Sequence, residues 1–281
     1  MNHFTLRSIA LIAAFLLHSA LGAQTKSADR LSVPLSDPSR PAFLKVGLIS
    51  GGIKVTGYSG KEIIVEGKNR DEDDEQSDSE KREKVRGLHR IPNTSSGISV
   101  EEDDNVVTVG MGMMGGSRTT DLTIQVPTNT SMKLSSINDG DINVSHVRGD
   151  LEISNTNGSI SVTDVSGSAV LDALNGDITV SFAAVNPEKS MSFSSLNGTI
   201  DVTFPPSLKA TVRMKTDQGE IYSDFDIRMD NSPAKVEDNG RGGRGKYRVT
   251  LEKMMTGAVN GGGSEIQFKN FNGDIYIRKG K

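Results

Sequence analysis

The chain contains no cysteine and no tryptophan, and aromatic residues make up only 5% of its 281 positions. Without thiols there is neither a disulfide framework nor a thiol nucleophile, so packing and hydrogen bonding must hold the fold. So few aromatics argue against a deep aromatic-lined pocket and against a cleft that stacks sugars. Histidine is scarce as well: His3 and His18 lie in an N-terminal leader, leaving His89 and His146. Positive charge is not in excess either, with 32 Lys and Arg against 36 Asp and Glu. Such a balance excludes general attraction to nucleic acid or anionic lipid.

The leader reads as a secretory signal. Arg7 is the only charged residue before Lys26, the apolar run Ile9–Leu17 continues to Leu21, and Gly22-Ala23 supply small residues. These features predict a signal peptide over residues 1–23, cleaved before Gln24. The apolar run is short for a bilayer span, which needs about 20 residues. Cleavage removes one of the 32 basic residues and moves the net charge from −4 to −5. A soluble product, periplasmic or extracellular, is expected. Residues 24–41 read as a linker and residues 42–281 as a single domain.

Glycine is what the chain has at fixed spacing. Gly140, Gly149, Gly158, Gly167 and Gly176 fall nine residues apart, in the nonapeptides SINDGDINV, SHVRGDLEI, SNTNGSISV, TDVSGSAVL and DALNGDITV. The phrase returns at Ser194–Val202, Lys215–Ser223 and Lys269–Ile277. So short a repeat is one strand and one corner of a coiled, stacked sheet. After each glycine, apolar residues alternate with polar ones, as in Ile142/Val144, Leu151/Ile153, Ile160/Val162, Ile178/Val180 and Ile200/Val202. Period-two alternation of β-branched residues is a strand signature, with Asn143, Glu152, Ser161, Thr179 and Asp201 facing solvent. Asn-Gly or Asp-Gly marks tight corners at Gly140, Gly158, Gly176, Gly198 and Gly273, where positive φ is expected. Since Gly140, Gly158 and Gly176 lie 18 residues apart, the unit is an 18-residue coil with two strands and two corners. Asparagine should stack on asparagine and isoleucine on isoleucine. Insertions at Asn186-Pro187 and Pro205-Pro206 should loop out, because proline cannot donate to the ladder. The 54 residues from Gly219 to Gly273 equal three coils, so coils are expected to continue through them.

The remaining chain follows the plan less regularly. Strands are expected near Gly52–Thr56, Glu62–Glu66, Gly97–Glu101, Val106–Val109, Asp121–Val126 and Tyr247–Glu252. A charged insert, 69–93, carries a capping box at Ser77–Glu80 that predicts a short helix toward Gly87. A second irregular insert covers 224–264 and includes the glycine loop Gly240–Gly245. The terminal Arg278-Lys279-Gly280-Lys281 should discourage another strand from adding there.

Three stretches together resemble a known family: Ser195–Phe225, Gly261–Lys279 and Gly51–Lys68. It is the bacterial putative-adhesin family, an envelope β-strand-repeat domain of unknown function. The resemblance implies an all-β, single-stranded right-handed β-helix or β-solenoid, and it supplies no catalytic residues.

Each chemical candidate has a plainer reading. Asp141, Asp150, Asp177 and Asp274 follow glycine directly, which breaks the spacing of a calcium-binding β-roll, so they are expected to cap their own turns. Asp71–Glu75 reads as a solvated charge run rather than a calcium loop. Arg148-Gly149-Asp150 spells an attachment tripeptide, but each residue fills its repeat slot. Met111, Met113 and Met114 in a glycine-rich loop are soft ligands of the kind Cu(I) takes, but the preferred reading is a flexible apolar loop packing on the solenoid. Arg241-Gly242-Gly243-Arg244 reads as a loop. His146 shares a repeat slot with Asn155, Asp164 and Ala173, a variability expected of a solvent-facing position, and His89 ends the charged insert. Asp201 and Glu220, one coil apart by repeat count, are the acid pair a carbohydrate-active β-helix would use. No catalytic, cofactor or metal-binding residue is assigned. The sequence reads as an exported, non-enzymatic adhesion, scaffold or binding module, with an envelope polymer or protein as partner and no cofactor. A polysaccharide-active β-helix enzyme and an envelope-stress accessory protein are the alternatives.

Overall fold

The computed structural model describes residues 29–70, 97–111, 119–230, 236–242, 246–251 and 254–281. Every regular element among them is a β-strand. The charged run Asp71–Glu75, the helix expected at Ser77–Gly87, His89, Met113 and Met114 lie outside the described residues. No helix among the described residues is long and apolar enough to cross a membrane.

Coils of two flat sides stack into a β-solenoid. Side one holds, in spatial order, β6 (Val106–Met111), β2 (Ala42–Ser50), β8 (Thr130–Asn138), β10 (Arg148–Asn157), the second half of β11 (Ile160–Asn175), β13 (Met191–Asn197), β21 (Ser264–Asn272) and β15 (Ala210–Gln218), all parallel. Side two runs β7 (Thr120–Pro127), β3 (Ile53–Tyr58), β9 (Ile142–Ser145), the first half of β11, β12 (Ile178–Val185), β14 (Ile200–Phe204), β22 (Ile275–Lys279) and β16 (Ile221–Ser223), again parallel. The 18-residue unit follows directly: Ile160 pairs with Ile142 on one neighbour and with Ile178 on the other.

The order of the rungs differs from the order of the chain at both ends. The first coil, β2–β3, lies between β6–β7 and β8–β9. The last coil, β21–β22, slides between β13–β14 and β15–β16. The interval from Gly219 to Gly273 is therefore one rung step carrying an excursion, not three hidden coils. Arg278 and Lys279 belong to an internal strand and guard no edge.

Antiparallel strands close most of the ladder. β5 (Ile98–Asp103) covers β6, β4 (Glu62–Asn69) covers β7, and β20 (Met255–Val259) covers β15. β17 (Ile227–Asp230) pairs outside β20. β18 (Val236–Gly242) and β19 (Lys246–Leu251) form a separate hairpin inside the expected irregular insert. β1 (Asp29–Pro34) pairs with β4, so from Asp29 onward the stretch read as a linker is built into the sheet. Its continuation is pinned as well: Leu35 is buried, and Asn105 Oδ1 accepts the Asp37 N–H at 2.8 Å. Such covering strands blunt the unpaired edges that invite aggregation. Among the described residues, the three-residue β16 is the one ladder end without a covering strand.

The alternation read from sequence becomes two aliphatic columns on side two. Ile53, Ile142, Ile160, Ile178, Ile200 and Ile275 form one; Val55, Val144, Val162, Val180, Val202 and Ile277 form the other, and all are buried. Side one faces them with Leu44, Met132, Leu151, Leu134, Ile153 and Leu171. Toward the C-terminal end the filling changes to Phe182, Phe193, Phe204 and Phe268, with ring centroids 5.2–6.3 Å apart. Each such side chain contributes about 1.5–3 kcal/mol through burial.

Candidate binding surface

One corner, where side one turns into side two, is built from columns of like residues. Its centre is glycine. A Cβ placed on Gly158 would lie 2.2 Å from the Gly140 carbonyl oxygen, one on Gly176 2.1 Å from that of Gly158, and one on Gly198 2.2 Å from that of Gly176. Close approach of backbones, more than positive φ, is what demands glycine here. In the slot before glycine, Asp139 takes the left-handed conformation, at φ 62°.

Beside the glycines runs an amide ladder. Asn157 Nδ2 donates to Asn138 Oδ1 at 2.9 Å, Asn175 to Asn157 at 3.0 Å, Asn197 to Asn175 at 2.8 Å and Asn272 to Asn197 at 3.4 Å. On the inner side, the turn carbonyls are met by polar side chains, buried at Ser136, Asn155, Ser195 and Asn270 and half-buried at Thr216. Ser136 Oγ donates to Gly51 O, Asn155 Nδ2 to Gly140 O, Ser195 Oγ to Gly176 O, Asn270 Nδ2 to Gly198 O and Thr216 Oγ1 to Gly273 O, at 2.8–3.2 Å. Ala173 occupies the same slot with no donor to offer.

A third column follows glycine. Asp141 Oδ1 accepts the Ser159 N–H at 2.8 Å, Asp177 Oδ1 that of Thr199 at 2.7 Å, and Asp274 Oδ1 that of Glu220 at 2.9 Å. These aspartates cap the turn of the neighbouring coil, not their own as expected, because the parallel stack brings that N–H closer. Asp121 opens the column: burial pushes its carboxyl up, but Arg70 and the Gly52 N–H outweigh that and hold it below the usual range.

The fourth column faces outward on side one, one residue before the amide ladder. The strand registers place Ile49, Ile137, Thr156, Leu174, Leu196 and Phe271 side by side. The apolar members are between 40% and 73% exposed, in slots that face solvent. Sequence reading missed this column. Its signal was present, since an apolar residue stands before Asn-Gly or Asp-containing corners at Ile137, Leu174, Leu196 and Phe271, one slot out of phase with the core.

Asp201 and Glu220 do not form an acid pair. Asp201 sits opposite Tyr276, and Tyr276 opposite Tyr222, so β22 separates the two carboxylates. Arg278 Nε donates to both Asp201 oxygens at 2.7 and 2.9 Å. Tyr222 and Tyr276 stack with centroids 5.2 Å apart. Tyr222 donates to Glu220 at 2.5 Å, and that bond to a carboxylate pushes the phenol up to about 12.

The other candidates disperse. Asp150 accepts from Lys189 and from Ser168, bonds that hold its carboxyl low against the opposing effect of burial. With Asp150 so engaged and a Gly149 Cβ only 2.5 Å from Thr130 O, the Arg148-Gly149-Asp150 tripeptide is packed strand, not a presented loop. The Asp150–Lys189 pair lines an open depression of about 410 Å³ with Phe43, Glu152 and Val170. His146 is exposed, as expected, and its Nδ1 lies 2.8 Å from Asp164 Oδ2. It shares its slot with Asp164 alone; Asn155 and Ala173 are buried on the opposite corner, because alternate nonapeptides occupy different sides. Met111 packs against the core at the end of β6, and Arg241-Gly242 ends β18. Among the described residues no three His, Asp or Glu side chains gather as a metal site would require.

Residues 137–255 match the family model Toastrack DUF4097, less than half of the chain. No curated protein matches. Among solved structures, one described as a putative cell adhesion protein from Clostridium sporogenes ATCC 15579 aligns over 90% of this chain and 100% of its own, with 9% identity and a TM-score of 0.43. A putative adhesin from Bacteroides fragilis NCTC 9343 aligns over 91% of this chain and 98% of its own, with 8% identity and a TM-score of 0.31.

Proposed function

We propose that this chain, whose residues 137–255 match the Toastrack DUF4097 family model, is a non-enzymatic binding module of the bacterial cell envelope. The observation that carries the reading is the corner itself. Five exposed apolar side chains stand in register beside an amide ladder and a carboxylate column, on a backbone held by glycine contacts. Rigid, repetitive and solvent-facing, such a surface recognises by complementarity along its length and needs no moving parts. Scattered exposed leucines are ordinary; an aligned row of them is the mark of an interaction site. The leader with Arg7, Ile9–Leu17 and Gly22-Ala23 supports export to the periplasm or the cell exterior. Asp201, neutralised by Arg278 and parted from Glu220 by a strand, gives the glycosidase reading no acid pair to rest on.

The test is sedimentation of purified residues 24–281 with isolated peptidoglycan sacculi, envelope polysaccharides and envelope membrane proteins. Saturable binding to one of these supports the proposal. Absence of binding to all of them overturns it.

A further inference from the structure

We propose that the outward apolar column seats a cationic amphipathic segment of another protein; this rests on the binding-module reading and names the partner's chemistry.

The shape of the column sets the shape of its occupant. Ile49, Ile137, Leu174, Leu196 and Phe271 lie on six successive strands, with Thr156 as the single polar member. Five rung steps of about 4.8 Å make a straight row roughly 24 Å long. That is the length of about 16 helical residues, whose apolar stripe runs along the helix as this row runs along the stack.

Charge sets the chemistry of the flank. On the corner side, beyond the asparagines, stand Asp177, Asp274 and Glu220. They bond to N–H groups and tyrosine hydroxyls, and among the described residues none of the three forms an ion pair. On the opposite flank the charges are mixed: Lys133–Glu152, Lys189–Asp150 and Arg213–Glu265 form ion pairs, and nearest the row stand single charges of both signs, Asp172 and Lys269. The row is thus apolar along its crest and negative along one margin. A segment with leucine-like residues on one face and lysine or arginine beside them matches both features, and an anionic lipid surface is repelled.

The experiment uses two synthetic 18-residue helical peptides, one of leucine and lysine and one of leucine and glutamate, titrated into residues 24–281 by fluorescence anisotropy. The variants are Leu174→Ser/Leu196→Ser/Phe271→Ser, which removes exposed groups only, and Asp177→Asn/Asp274→Asn, which keeps the capping oxygens. Circular dichroism checks that both fold. The leucine–lysine peptide is expected to bind at least roughly tenfold tighter than its acidic counterpart, and the serine variant to lose roughly tenfold or more. The asparagine variant should show a flatter dependence on salt. Equal binding by the serine variant overturns the inference, as does equal binding of the acidic peptide. Two further results also overturn it: binding of phosphatidylglycerol vesicles instead of the peptides, or self-association of the free chain that the serine variant abolishes. Should sacculi bind the serine variant as well as the native chain, this inference falls while the binding-module reading stands. Peptide binding at the column without affinity for any envelope component sinks that reading and leaves the inference intact.

Discussion

Gly219 packs directly on Gly273, although 54 residues separate them: a Cβ on Gly219 would lie 2.0 Å from the Gly273 carbonyl oxygen. The contact records how the last coil enters the stack, with Asn272 paired to Asn197 on one side and to Gln218 on the other.

Because β21 and β22 bond to strands on both sides, removing them opens the solenoid in its interior. Truncation after Gly263 strips the partners of Phe193 and Val212 together. The expected outcome is loss of a single cooperative urea transition, read by circular dichroism. An unchanged midpoint would show that the coil is an appendage.

The glycine column gives a contrast between two like substitutions. Gly176→Ala drives a methyl group into the Gly158 carbonyl, whereas a Cβ on Gly110 meets nothing within 4 Å. Gly176→Ala should cost about 3 kcal/mol or more, since backbone cannot yield as a side chain does. Gly110→Ala should lie within roughly 0.5 kcal/mol of the native chain. Chemical denaturation of both variants checks the difference.

Ala173 is the gap in an otherwise polar inner slot. A hydroxyl there would face Gly158 O as Ser195 Oγ faces Gly176 O at 3.2 Å. Ala173→Ser should therefore stabilise the chain by about 1 kcal/mol, the net worth of one intramolecular hydrogen bond. A lowered unfolding midpoint would mean that the slot has no room for it.

Tyr222 should titrate late. Its phenol donates to Glu220 and is pushed up to about 12, while the unfolded chain ionises at the ordinary value of 10.0. The raised folded value means that this bond contributes stability below pH 10 and loses it as pH climbs toward 12. Ultraviolet titration of phenolate in the native chain and in Glu220→Gln tests this. The variant should bring one of the four tyrosines back toward its ordinary range.

Columns were legible in the sequence; their order was not. Ile142, Ile160, Ile178 and Ile200 announce one buried row because a nine-residue period repeats their environment, and Asn157, Asn175 and Asn197 announce the ladder in the same way. Any rung of this form stacks on any other, so nothing local says that Lys269–Ile277 belongs between Ser194–Val202 and Lys215–Ser223. Strand direction is equally silent: Glu62–Asn69 alternates well, yet runs antiparallel to β7. Alternate nonapeptides looked equivalent because each has one glycine, which is why His146 was grouped with the buried Asn155. The apolar row escaped notice for a simpler reason, since Leu174 or Phe271 suggests core unless the parity of its slot is followed outward.

The account turns on whether the row of Ile137, Leu174, Leu196 and Phe271 is the surface by which this solenoid holds its partner. The most direct measurement compares the native chain with Leu174→Ser/Leu196→Ser/Phe271→Ser for binding to isolated envelope material, with unfolding midpoints taken in parallel. The account predicts that binding is lost while the midpoint holds. Undiminished binding by the variant would contradict it.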